Sequence, residues 1–79
     1  MINREDAALK LARAIVADVK LYNQDAIEKG SQQVWEAIFE GRALYTSRVS
    51  HELMGLFDTV LEQDPILRFY AGGQPHGPV

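Results

Sequence analysis

The sequence predicts an all-α domain. A long first helix is followed by a second that folds back on it as a hairpin, then a third helix and a short C-terminal helical turn. Three observations predict this. Apolar residues recur at spacings of three and four from Ala8 to Leu61. No proline or glycine interrupts the chain until Gly30. Residues suited to opening or closing helices (Asn3, Gly30, Ser31, Ser50 and Asp64) stand between the apolar runs.

The first helix is expected over residues 4–29. Asn3 serves as its N-cap, and Glu5 and Asp6 sit where the helix dipole favours negative charge. Ala8, Ala12, Ile15, Val19, Tyr22 and Ala26 draw one continuous seam along it. Leu9, Leu11, Ala14, Val16 and Leu21 make a second flank apolar as well. Lys10, Arg13, Lys20 and Gln24 form a narrow strip for water. A helix with so small a polar face must be covered on at least two sides.

Gly30, preceded by Lys29, is a natural C-terminal stop. Ser31 then caps a second helix over residues 32–48, with Val34, Trp35, Ala37, Ile38, Leu44, Tyr45 and Val49 apolar. Gln32, Glu36, Glu40 and Ser47 make its wet side. The tight link at Gly30 and Ser31 forces a hairpin or a sharp bend. Gly41 inside this helix costs about 1 kcal/mol relative to alanine. It is either a tolerated weakness or the site of a close helix contact with a neighbour such as Ala12 or Ala14.

Ser50 caps a third helix over residues 51–63, whose apolar face is Leu53, Met54, Leu56, Phe57, Val60 and Leu61. Asp64 and Pro65 read as an N-cap followed by proline at the first helical position. Residues 66–71 then give a short turn or an extended segment. Residues 1–71 form the single domain, and residues 72–79 have the composition of a flexible tail.

About 70 residues rarely supply more than about 3–5 kcal/mol from a core alone. Disulfides cannot help, because the chain has no cysteine. A metal is poorly served by two distant histidines, and no cofactor is expected. Association with another copy is the remaining route, and the expected assembly is a homodimeric helical bundle. A net charge of −3 disfavours nucleic acid and anionic lipid as partners. No run reaches the length of a membrane span, and the polar start resembles no signal peptide. A cytoplasmic location is expected.

His51 follows a cap and reads as an exposed first-turn residue, and His76 lies in the tail. Neither has metal-ligand spacing. The serines and Thr46 and Thr59 lack the setting of a nucleophile. No catalytic residue is assigned, and an enzyme is not expected. Asp18 interrupts an apolar stretch and is either at the edge of the seam or buried against Arg42 or Arg48.

Leu11-Ala-Arg-Ala-Ile-Val-Ala-Asp-Val-Lys-Leu-Tyr-Asn23 and Gly41-Arg-Ala-Leu-Tyr-Thr-Ser-Arg-Val49 carry a resemblance. Together they resemble a small helical module at the C-termini of uncharacterised multidomain bacterial proteins, some with an N-terminal zinc ribbon. The likeness covers residues 8–61. It implies a soluble bacterial protein with an all-helical fold, and no established activity. It also suggests that Arg13, Asp18, Asn23, Arg42 and Arg48 form a common polar set, with Asp18 and Asn23 meeting Arg42 or Arg48.

The expected function is a non-enzymatic protein–protein interaction module that dimerises. Its interface is expected at Ala8, Ala12, Ile15, Val19 and Tyr22, then at Trp35, Phe39, Phe69 and Tyr70. The alternative is a regulator that binds a small molecule or peptide in an apolar pocket lined by Trp35, Tyr45 and Phe57.

Overall fold

The computed structural model describes residues 1–70, and the expected tail lies outside them. Every regular helix or turn in it is helical: α1 (Glu5–Tyr22), α2 (Gln24–Lys29), α3 (Gln32–Thr46), a 3-10 turn (His51–Leu53), α4 (Leu56–Gln63) and a second 3-10 turn (Leu67–Tyr70). α1 packs against both α3 and α4, and α2 leans on α3. The all-helical class and the short final turn agree with the sequence. No helix among the described residues is long and apolar enough to cross a membrane.

Two of the expected helices are divided. The first breaks at Asn23, whose side-chain amide donates to the Val19 carbonyl at 2.8 Å. An unbroken helix would give that carbonyl to the backbone N–H of Asn23, so the side chain competes with the helix for it. The backbone at Asn23 leaves the helical region (φ −131°, ψ 31°), and α2 starts in a new direction. The third divides near Gly55, a weak helix former. There the Leu53 carbonyl accepts the Tyr45 hydroxyl at 2.6 Å, which ties the 3-10 turn to α3. Tyr45 has no exposed surface, and burial pushes its phenol pKa up.

The caps follow the sequence in most places. Gly30 adopts φ 63°, the left-handed conformation that closes a helix. The Ser31 N–H donates to the Ala26 carbonyl at 2.9 Å, completing the closure. Ser31 Oγ accepts from the Gln33 N–H at 3.1 Å and opens α3. At the N-terminus the cap is Arg4 rather than Asn3, and it makes no side-chain capping bond. Residues before it have a different task. Ile2 forms a parallel bridge with Val49: its N–H donates to the Arg48 carbonyl at 2.8 Å, and its carbonyl accepts from Ser50 at 2.7 Å. The N-terminal segment thereby straps the end of α3.

The core is made of Ala8, Ala12, Ile15, Val16 and Val19 of α1, Ala26 of α2, Val34, Ile38 and Tyr45 of α3, and Phe57, Val60 and Leu61 of α4. Val49 and Leu67 close it from the connecting segments. At its centre lies Gly41. A Cβ built there would stand 2.8 Å from Ile15 Cγ2, with Val19 and Phe57 also in contact range. Gly41 is therefore a close-approach residue. Its neighbours are Ile15 and Val19, not Ala12 or Ala14.

Asp64 fastens the opposite end. Its carboxylate accepts from the backbone N–H groups of Ile66 at 2.9 Å and Leu67 at 2.8 Å, the cap expected before Pro65. It also pairs with Lys20 Nζ at 2.6 Å. Lys20 was expected in the water-facing strip, and it is instead half-buried against Asp64. Its long stem reaches across the α1 surface to a carboxylate that is 9% exposed. Burial alone would raise the Asp64 pKa. The Lys20 ammonium and the two amides outweigh it and hold the carboxyl below its usual value.

Two predictions concern stability. Gly41→Ala should lower the melting temperature although alanine is the better helix former. The Ile15 branch methyl sits on a stiff β-branched side chain, and overpacking of about 1–3 kcal/mol exceeds the propensity gain of about 1 kcal/mol. Gly55→Ala, where the new methyl meets nothing within 4 Å, should leave it unchanged or raise it. Thermal unfolding of the two variants checks the contrast, and equal effects would refute the close-contact role of Gly41. For Asp64, the folded pKa lies below the ordinary value of 3.8, so the unfolded chain takes up the proton first on acidification. Its contribution is complete well above pH 3.8 and is lost as the pH falls from that value through the lower folded pKa. Asp64→Asn keeps a capping oxygen but loses the charge. The acid limb of its stability-against-pH curve should be shallower than that of the parent chain.

Candidate interaction surface

The seam of the first helix was expected to be the dimer interface, and the structure corrects this. Ala8 and Ala12 have no exposed surface, and Ile15 and Val19 are 7% exposed. The chain's own α3 and α4 cover them. The missing Gly41 side chain lets α3 come close enough to do so. Of the five seam residues expected at that interface, only Tyr22 faces solvent, at 76% exposure.

The aromatic residues divide into two sets. Tyr45 and Phe57 are fully buried and pack on each other with ring centroids 5.5 Å apart. Trp35 lies elsewhere: it is half-buried and meets the edge of Tyr70, with centroids 4.8 Å apart. The structure does not bring Trp35, Tyr45 and Phe57 together, so they line no common pocket. Two of the three belong to the closed core.

The Trp35–Tyr70 contact sets the last turn against one stripe of α3. Phe39 lies one helical turn beyond Trp35 on that stripe and is 70% exposed. Phe69, beside Tyr70, is 73% exposed, with the Arg68 guanidinium 5.2 Å from its ring centroid. A phenylalanine left wholly in water forgoes about 1.5–3 kcal/mol of burial, so each of these two rings gives up most of that amount.

A second apolar area lies between α1 and α3, where a shallow groove of about 260 Å³ follows the crossing at Gly41. Ile15, Val19 and Ala37 line it together with Tyr22 and Leu44. Leu44, assigned to the apolar face of α3 by its spacing, is 44% exposed at this edge. Periodicity marked it as apolar but could not tell a core position from a groove margin. Asp18 and Glu40 also line the groove, and both are exposed.

The expected polar set is not brought together. Asp18 makes no ion pair with Arg42 or Arg48. Arg42 turns the other way, pairs with Asp58 and lies over the Phe57 ring at 5.6 Å. Asn23 bonds locally to Val19, as described. Arg48 is exposed and contributes its backbone carbonyl to Ile2. Sequence reasoning missed the two ion pairs that do form across the fold, Lys20–Asp64 and Arg42–Asp58. Their partners are 44 and 16 positions apart, and no local spacing announces them.

His51 is exposed in the first 3-10 turn, and His76 lies outside the described residues. Among the described residues no group of three or more histidines and carboxylates is placed to hold a metal. Comparison of the chain with known protein families, with curated proteins and with solved structures finds no match in any of the three.

The exposed position of Asp18 generates a direct expectation. Asp18→Asn should leave the melting temperature within the small range of ordinary surface substitutions, about 0.5 kcal/mol either way. Thermal unfolding at neutral pH checks this. A fall of several degrees would restore the pairing with Arg42 or Arg48 that the sequence suggested.

Proposed function

We propose that the chain is a non-enzymatic protein-interaction module that self-associates through its aromatic face. That face comprises Trp35 and Phe39 of α3 and Phe69 and Tyr70 of the last turn. The observation that carries the reading is the exposure of Phe39 and Phe69 beside the Trp35–Tyr70 contact, at 70% and 73%. Aromatic side chains in solvent are the groups that contribute most when a partner covers them. The resemblance to a module carried at the ends of larger bacterial proteins accords with a docking role. A bacterial, cytoplasmic protein is the setting we propose for it.

The expected strength is modest. Two phenylalanines from each of two copies, fully covered, supply about 6–12 kcal/mol. Loss of translational and rotational freedom costs about 4–15 kcal/mol. The two ranges overlap, so these four rings alone do not secure an obligate dimer, and the association proposed is weak and concentration-dependent.

Light scattering over a concentration series up to about 1 mM, the dissociation range of so weak a dimer, is the test. The mass should rise from 8.9 kDa towards twice that value. The double variant Phe39→Ser, Phe69→Ser should stay at the monomer mass with its melting temperature little changed, because both rings are exposed. A parent chain that remains monomeric throughout would defeat the self-association reading.

A further inference from the structure

We infer that the groove between α1 and α3 is a docking site for a cationic amphipathic helix of another protein. An apolar anchor would enter between Tyr22 and Leu44, and lysine or arginine side chains would meet Asp18 and Glu40. This inference goes beyond the aromatic face. It shares with that proposal only the premise that the chain works by binding protein, and it concerns a different surface.

The groove has a definite size. Its α1 wall runs from Ile15 to Tyr22, with Asn23 just beyond it, and its α3 wall runs from Ala37 to Leu44. Each is about two helical turns, or about 10 Å, long. That length accommodates one apolar side chain and its neighbour a turn away, the pattern a helix presents when it lies in a groove. The margin offers Tyr22 at 76% and Leu44 at 44% exposure, so covering them removes apolar surface from water.

Charge selects the occupant. The groove is lined by two carboxylates, Asp18 and Glu40, and by no lysine or arginine. Neither carboxylate takes part in an ion pair among the described residues, whereas three other aspartates do. Residues 71–79 contain no lysine or arginine. A second copy is a poor occupant. Around a two-fold axis, Asp18 and Glu40 would face their own counterparts, and like charges brought together oppose association. An apolar segment flanked by basic residues satisfies both the groove and its margin.

The test uses two synthetic helical peptides that carry leucines one turn apart. In one the flanking residues are lysines, and in its twin they are glutamates. Each is titrated into the isotope-labelled chain and followed by amide chemical shifts. The lysine peptide should perturb the amides around Asp18, Tyr22, Ala37 and Leu44, and the glutamate peptide should not. Affinity for the lysine peptide should fall as salt rises from about 0.01 M to about 1 M. The double variant Asp18→Asn, Glu40→Gln should weaken it by about fivefold, the scale of two exposed ion pairs. Tyr22→Ser should weaken it as well, with no change in melting temperature because the ring is exposed.

Equal binding of both peptides, or binding of neither, would overturn the inference. So would shifts confined to the Phe39 and Phe69 face. Shifts in the groove that grow with protein concentration in the absence of peptide would assign it to a second copy. Failure of the aromatic-face dimer in light scattering would leave these outcomes untouched.

Discussion

The structure depends on the close approach of α1 and α3 at Gly41. The space a single methyl group would fill is already occupied by Ile15, with Val19 and Phe57 just outside it. Because Gly41 places no side chain of its own against Ile15, α3 lies low on the seam of α1 and closes one side of it. α4 closes the other. Most of the seam that looks in the sequence like an excess of apolar surface is thereby sheltered within 70 residues, while Leu21 and Tyr22 at the end of α1 stay exposed. The helix-propensity penalty of glycine is the cost of that contact.

Around this crossing the remaining elements are fastened by a few polar contacts, each made where the chain changes direction. Asn23 ends α1 by taking the Val19 carbonyl for its side chain. Tyr45 holds the first 3-10 turn through the Leu53 carbonyl. Asp64 gathers the last turn and Lys20 of α1 into one knot. The Ile2–Val49 bridge holds the N-terminus to the end of α3. Apolar packing brings these helices together, and the polar contacts set where each one stops.

Sheltering the seam also decides where a partner can bind. A core that used Ala8, Ala12, Ile15 and Val19 leaves outside Tyr22 and Leu44 at the edge of the crossing and Phe39 and Phe69 on α3 and the last turn, besides Leu21 and Ile66 elsewhere. The crossing edge and the aromatic face differ in electrostatics. The first carries carboxylates, and the second has Arg68 against an aromatic ring.

The sequence by itself determined the helical class, the cap at Ser31, the left-handed stop at Gly30 and the Asp64–Pro65 turn. Each of these follows from the chemistry of neighbouring residues: a hydroxyl or carboxylate within reach of the next amides, or a residue without a Cβ penalty. Periodicity also selected Ala8, Ala12, Ile15 and Val19 of α1 for burial, but it placed Tyr22 on the same seam, where the structure leaves it exposed. It could not say whether another molecule or the chain itself would bury them, because a helical stripe records the need for cover and not its source. Only the tertiary structure decided that, through the clearance at Gly41. It also decided the pairing of Lys20 with Asp64 and of Arg42 with Asp58. Contacts between residues far apart in sequence depend on how whole helices cross, and no local pattern encodes that angle.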